Sequence, residues 1–117
     1  MLNVAKADGH PNWFAPTTMD EFNSVAKSGK PSFVKFTASW CPPCRAVQPV
    51  LDELAEAHKD NFTFIYVDCD TAGPVAANFG VSGIPDMRFF DKEGNEAEKY
   101  NGARDKDSIN AAFAKHQ

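Results

Sequence analysis

Cysteine is scarce in this chain, with three residues among 117, so a disulfide-stapled secreted scaffold is excluded. No apolar run approaches the roughly 20 residues that a membrane-spanning helix needs. There is no cluster of basic residues, and the net charge of −4 does not favour binding to nucleic acid. The first eight residues contain no uninterrupted apolar stretch, which argues against a secretory signal. We therefore expect a cytoplasmic monomer with neither a membrane nor a nucleic-acid partner.

The overall composition is typical of a soluble globular protein, and the order of the predicted strands and helices indicates an α/β domain. Apolar residues make up 43% and charged residues 24% of the chain, which is ordinary for a globular protein. Residues 1–12 are polar, so we predict a poorly ordered N-terminal extension, followed by one domain over residues 13–117. Strands alternate with helices before a final hairpin and helix, which predicts a central mixed sheet flanked by helices. The predicted strands cover residues 13–15, 32–38, 62–67, 87–90 and 96–100, and the predicted helices begin at Thr18, after Cys41, at Pro74, and at Asp105 or Asp107.

The most informative motif is Trp40-Cys41-Pro42-Pro43-Cys44, which lies between a buried strand and a helical segment. Two cysteines with two residues between them can close a small disulfide ring or bind a metal. At the first turn of a helix, the Cys41 thiol faces unpaired N–H groups and the positive end of the helix dipole, which favour a thiolate. A thiolate is the species that attacks disulfides, so the position of the motif favours redox chemistry.

With this motif and the segments given below, the sequence resembles the thioredoxin family from about residue 13 to its end. The family implies a thioredoxin fold and a protein disulfide oxidoreductase that reduces substrate disulfides. It also implies that no cofactor is needed beyond the redox-active disulfide, and that a reductase of the thioredoxin-reductase type supplies electrons. The segments that carry the resemblance are residues 40–44, 49–55, 67–70, 83–85 and 101–103.

The resemblance implies that Cys41 is the attacking cysteine and Cys44 the resolving one. Cys41, expected to be exposed at the helix start, attacks a substrate disulfide, and Cys44 then attacks Cys41 and releases the reduced substrate. Pro43 matches the proline usual in the family, whereas Pro42 replaces the more usual glycine, which stiffens the ring and removes one N–H. Similar CPPC sites occur in plant-type thioredoxins and in tryparedoxin- and nucleoredoxin-like proteins, so the motif selects no subfamily.

The resemblance also implies an apolar platform beside the disulfide on which a substrate docks. Trp40 could instead be an ordinary core residue, but its place next to the cysteines favours the platform. In the family the proline at position 85 follows a cis peptide bond, which would expose the backbone before it to a bound substrate strand. The residues expected in this platform are Trp40, Ile84, Pro85, Gly102 and Ala103.

Besides Pro42, three positions depart from the family's pattern. Lys35 stands where a buried carboxylate usually serves the resolving thiol, and Tyr66 stands where a lysine is usual. Lys35 has two interpretations: a lysine whose stem packs in the core while its amine snorkels to solvent, or an amine of depressed pKa that assists Cys44. Asp86 replaces a threonine, and its carboxylate is expected to raise the pKa of Cys41.

Two other functions compete with disulfide reduction. A zinc or iron–sulfur module would use Cys41 and Cys44 but needs two further ligands, and the sequence has no second CxxC or HxxxH motif, so a second copy in a dimer would have to supply them. We therefore predict no metal site. A redox-silent adaptor could use the same platform, but the presence of both cysteines argues against it. Cys69 is interpreted as a small buried packing residue, with a regulatory thiol as the alternative. The scattered histidines are interpreted as surface or packing residues.

Overall fold

The computed structural model describes residues 2–101 and 105–117, which form a six-stranded sheet with helices on both faces. The strand order is β1-β2-β4-β3-β5-β6, in which β2, β4 and β3 run parallel to one another and the remaining pairings are antiparallel. The predicted mixed sheet flanked by helices is thus confirmed. The elements are β1 (Lys6–Ala7), β2 (His10–Phe14), α1 (Met19–Ala26), β3 (Ser32–Thr37), α2 (Pro42–His58), β4 (Thr63–Asp68), α3 (Gly73–Asn78), β5 (Asp86–Phe90), β6 (Glu96–Asn101) and α4 (Lys106–Lys115).

The N-terminal segment differs from the expected poorly ordered extension over residues 1–12. β1 and β2 pair as a hairpin, and β2 continues the sheet by pairing in parallel with β4 through Trp13 and Phe14. Gly9 has a φ of 77°, a left-handed conformation that suits the tight turn between the two strands. The polar composition was misleading because β1 is an edge strand, which is held by backbone pairing and buries only the small side chain of Ala7, while Lys6 is exposed.

The central strand β3 determines where the functional side chains point. All six of its residues are buried, because helices cover the sheet on both faces. Phe33 faces the core formed with α2 and α4, where it packs against Phe113. Val34 and Phe36 face the opposite core, which α1 and α3 cover. Since side chains alternate along a strand, Lys35 shares the face of Phe33 and points toward α2.

Two helices begin at caps that the sequence predicts. Thr18 is the N-cap of α1, and its hydroxyl accepts the Glu21 N–H at 3.1 Å. Asp105, rather than Asp107, caps α4 and accepts the Ser108 N–H at 2.9 Å. Such caps satisfy N–H groups that the first helical turn leaves unpaired. Among the helices of the described residues, none combines the length and the apolar character that crossing a bilayer requires.

Candidate active site

The two cysteines of the motif lie just after β3, at the start of α2. Cys41 is the N-cap of α2, and its Sγ accepts the N–H of Cys44 at 3.3 Å. The two residues are joined by a disulfide, with their Cα atoms 5.3 Å apart, a separation typical of disulfides. Pro42 and Pro43 occupy the first helical positions, where a missing N–H costs no intrahelical hydrogen bond. The motif therefore forms a closed redox ring on a rigid helix start.

Both cysteines are buried in this oxidised state. Cys41 exposes 3% of its surface and Cys44 exposes 1%, so the expectation of an exposed Cys41 is wrong for the disulfide form. The physical reason is a small apolar cluster in which the two cysteines pack with Ala38 and Ile84. The sulfur of Cys41 lies 3.9 Å from the carbonyl oxygen of Ile84. Ile84 therefore forms one wall of the immediate surroundings of Cys41.

Three residues of the expected docking platform, Trp40, Ile84 and Pro85, lie in the part of the chain that the structure describes. The peptide bond between Ile84 and Pro85 is cis, with Pro85 buried and Ile84 half-buried. Trp40 is 64% exposed, and its Nε1 donates to Asp70 Oδ2 at 2.9 Å. Trp40 is therefore not a core residue but an apolar surface beside the disulfide. The two platform residues that lie outside the described part of the chain are Gly102 and Ala103.

Lys35 lies beneath the disulfide, with 1% of its surface exposed. Its Nζ donates to the carbonyl oxygen of Cys44 at 2.8 Å and to the side-chain oxygen of Gln48. Burial lowers the pKa of Lys35 from 10.5 to about 8, against the opposing effect of the Asp52 carboxylate. Tyr66 is its partner on the neighbouring strand, with the ring centroid 6.0 Å from Nζ. The snorkelling interpretation is wrong, because α2 covers the amine and supplies its acceptors.

Asp52 is the centre of a hydrogen-bond network that the sequence interpretation missed. Its carboxylate accepts from His10 Nδ1 at 2.9 Å, from Trp13 Nε1 at 3.1 Å and from Gln48 Nε2 at 2.9 Å. Because the Gln48 amide nitrogen faces this carboxylate, its oxygen faces the amine of Lys35. All of these side chains except Trp13 line, together with Cys44, a cavity of about 300 Å³ beside the first turns of α2.

Part of this network could have been found from sequence spacing. Residues 44, 48 and 52 are four apart on a predicted helix, so they lie on one face and meet the same neighbours. No local signal points to His10, which reaches the network from β2, a strand distant in sequence. Its interpretation as an ordinary surface or packing histidine omitted the contact with Asp52.

Asp86 is buried and paired. Its carboxylate accepts two hydrogen bonds from the Arg88 guanidinium, both at 2.9 Å, and Arg88 donates a further one to Glu96 at 2.8 Å. The hydrogen bonds to Asp86 are the largest cause that raises the pKa of Arg88. The positive charge of Arg88 offsets part of the negative charge of the Asp86 carboxylate, which still contributes to the raised pKa of Cys69. The expected effect of Asp86 on the pKa of Cys41 stays a prediction.

Cys69 is a free, half-buried thiol at the end of β4. Burial, followed by the charge of Asp68, raises the pKa of Cys69, which disfavours the reactive thiolate. Its environment thus agrees with a packing role. In residues 2–101 and 105–117, no group of three or more His, Cys, Asp or Glu side chains is arranged to hold a metal ion.

Comparison with known proteins points to a single family. The thioredoxin family model matches residues 14–115. Over 100 residues the chain is 40% identical to the thioredoxin of Chlamydia muridarum, covering 86% of this chain and 95% of that protein. It is also 39% identical over 102 residues to the protein disulfide-isomerase erp38 of Neurospora crassa, covering 85% of this chain but only 27% of that longer protein. The solved structure of Malassezia sympodialis thioredoxin superimposes with a TM-score of 0.80 at 26% identity, covering 99% of this chain and 96% of that one.

Proposed function

Because this chain belongs to the thioredoxin family, we propose that it is a thiol–disulfide oxidoreductase that reduces protein disulfides through Cys41 and Cys44. The observation that carries the proposal is the disulfide between these two cysteines at the start of α2. It lies within the family-matched range, and the fold places it beside an exposed tryptophan.

The proposed reaction has two exchange steps. In the reduced protein, the Cys41 thiolate attacks one sulfur of a substrate disulfide, and the bonding electron pair leaves with the other sulfur, which takes up a proton. Cys44 then loses its proton and attacks the sulfur of Cys41, which breaks the bond between Cys41 and the substrate. The second substrate sulfur leaves as a thiolate and is protonated. Two electrons pass to the substrate, and the Cys41–Cys44 disulfide is formed.

The two prolines of the ring support reduction as the direction of exchange. A dithiol becomes a strong oxidant when its reduced form is stabilised, for example by hydrogen bonds to the thiolate. Pro42 and Pro43 have no N–H, so the backbone donor to the sulfur of Cys41 is the Cys44 N–H, at 3.3 Å. With fewer donors at the helix start, the reduced form is less stabilised, and the protein is the better reductant.

The proposal extends to the electron source and the compartment. Each reduced substrate consumes two electrons, so a reductant must regenerate the dithiol, and the proposed source is a reductase of the thioredoxin-reductase type. A reducing, cytoplasmic setting suits a chain that carries the free thiol of Cys69. In this setting the substrates are disulfide-containing proteins, and the protein works as a monomer without a bound cofactor.

The reduction of insulin disulfides, with dithiothreitol as electron donor, tests the proposal. We expect Cys41→Ser to abolish activity, because the attacking thiolate is lost. Cys44→Ser should stop turnover and leave a substrate attached to Cys41, detectable by mass spectrometry. Cys69→Ser is the matched control and should retain full activity. Activity that survives Cys41→Ser would overturn the proposal, and metal content of the reduced protein would identify a metal-binding module instead.

A further inference from the structure

We propose that His10 is a positioning residue of the redox site, which acts through Asp52 and Gln48 on the amine of Lys35 and so promotes the second exchange step. The inference rests on the proposed function, since that step is the attack of Cys44 on the mixed disulfide. It assigns a role to the N-terminal hairpin, because His10 precedes the range that the family model matches.

The contacts form a continuous chain from β2 to the resolving cysteine. His10 Nδ1 donates to Asp52 Oδ2 at 2.9 Å, and Gln48 Nε2 donates to Asp52 Oδ1 at 2.9 Å. The other end of the Gln48 amide accepts from Lys35 Nζ, which also donates to the Cys44 carbonyl at 2.8 Å. Three elements, β2, α2 and β3, therefore meet through hydrogen bonds directly beneath the redox ring.

This series of hydrogen bonds sets both the orientation and the charge of the side chains that form it. An amide that donates to a carboxylate must present its oxygen on the other side, so Asp52 orients Gln48 toward Lys35. The Asp52 charge also favours the ammonium form of Lys35 against the cost of burial. An ammonium group beside Cys44 favours the Cys44 thiolate, which is the species that attacks in the second step.

The part played by His10 is to keep Asp52 in this arrangement. The Asp52 side chain is 38% exposed, so without an anchor on Oδ2 it can turn toward water, where its charge is screened. Trp13 Nε1 and Gln48 share the other oxygen, Oδ1. The His10 ring is itself fixed, since it stacks on Tyr66 with centroids 5.5 Å apart.

Other titratable or charged groups also face this cavity. Arg45 lines it from α2 and Tyr66 from β4, in addition to Cys44 itself. Burial raises the pKa of Tyr66, so its hydroxyl stays neutral near pH 7. Both groups are retained in every variant below, so a change in pH profile reports on the chain from His10 to Lys35.

The test follows both steps in a single turnover of the reduced protein with dithiobis(nitrobenzoate), whose thiolate is coloured. Attack by Cys41 releases the first equivalent of coloured thiolate, and attack by Cys44 releases the second. The variant His10→Phe keeps a ring to stack on Tyr66 but cannot donate to Asp52. His10→Gln is the conservative variant, which retains a donor.

A matched control exists at another histidine with the same kinds of contact. The His116 ring stacks on Phe89 with centroids 4.5 Å apart, and its Nε2 contacts the Glu98 carboxylate at 2.6 Å. His116→Phe thus removes a comparable histidine–carboxylate contact, but not one to the cavity beneath the disulfide. It should leave both steps unchanged.

We expect His10→Phe to slow the second step about threefold to tenfold at pH 7, with its pH midpoint displaced upward and the first step unchanged. His10→Gln should restore most of the rate. In a Lys35→Met background, His10→Phe should have no further effect, because its path of action is already interrupted. Should His10→Phe fail to fold, Asp52→Asn should give the same slowing of the second step.

Three results would overturn the inference: an unchanged second step in both His10→Phe and Asp52→Asn, equal fold losses with and without Lys35, or equal losses in the first and second steps. A wild-type protein that releases neither equivalent would refute the proposed function itself. A wild-type protein that releases both, together with any one of these three results, would refute this inference alone.

Discussion

Replacing Lys35 should change how the stability of the oxidised protein depends on pH. Its pKa is lowered from 10.5 to about 8, and a tenfold change in proton affinity corresponds to about 1.4 kcal/mol. Below pH 8 the buried ammonium therefore reduces the free energy of unfolding by about 3 kcal/mol. Between pH 8 and pH 10.5 the unfolded chain binds the proton and the folded one does not, so stability rises with pH in this window.

The variant Lys35→Met removes this pH dependence and two hydrogen bonds together. The Gln48 amide oxygen loses its donor, at a cost of about 1–3 kcal/mol. The Cys44 carbonyl also loses the hydrogen bond from Lys35, but it lies within α2, where the N–H four residues later is its helical partner. At pH 7 this cost is largely offset by the removal of the ammonium. From pH 7 to pH 9.5 the free energy of unfolding of the wild type rises by about 2 kcal/mol as Lys35 loses its proton, and the variant has no such gain. The variant should therefore become less stable than the wild type as the pH rises.

Urea unfolding of the oxidised wild type and variant at pH 7, 8.5 and 9.5 measures this difference. Keeping the disulfide intact prevents Cys41 and Cys44 from titrating. The raised pKa values of Tyr66 and Cys69 lower stability at high pH, but both groups are present in both proteins and cancel in the difference. An exposed lysine serves as control, and Lys92→Met should follow the wild type. Parallel curves for Lys35→Met and the wild type would refute the reasoning.

Two further predictions concern Arg88 and Trp40. Arg88→Leu leaves the Asp86 carboxylate, 1% exposed, without its main partner, and should lower the free energy of unfolding by about 3–5 kcal/mol. Urea unfolding measures this loss, Asp86→Asn in the same background should recover part of it, and a loss below about 1 kcal/mol would contradict the argument. Trp40→Ala should raise the KM for insulin reduction severalfold, yet leave the reaction with dithiobis(nitrobenzoate) and the stability nearly unchanged, because this side chain is 64% exposed. Equal losses on both substrates would show that Trp40 supports the disulfide and does not dock substrate.

The parts of the fold that the sequence predicts are those that local patterns control. The buried run around Phe33 marks β3, and the capping residue Thr18 marks the start of α1. The spacing of Cys41 and Cys44 marks a redox ring at a helix start. Each of these signals lies within a few residues of the feature it predicts, and the structure contains all of them.

The N-terminal hairpin shows where local patterns fail. β1 and the first part of β2 are polar, and an edge strand buries few side chains that could mark it. What holds the segment is pairing with β4, together with the burial of Trp13, which is 1% exposed. These interactions depend on residues about 50 positions away in sequence, so no window of local sequence contains them.

The sequence by itself determined the family, the mixed sheet and the pair of cysteines, because these depend on short motifs and on the order of strands and helices. Only the tertiary structure decided the state of Lys35 and the partners of Asp52. A buried amine and a snorkelling one have the same local sequence, and they differ only in whether α2 places acceptors over the strand. His10 likewise meets Asp52 at a separation of 42 residues. Hydrogen bonds and charges act through space, so they become visible only once the fold has brought the groups together.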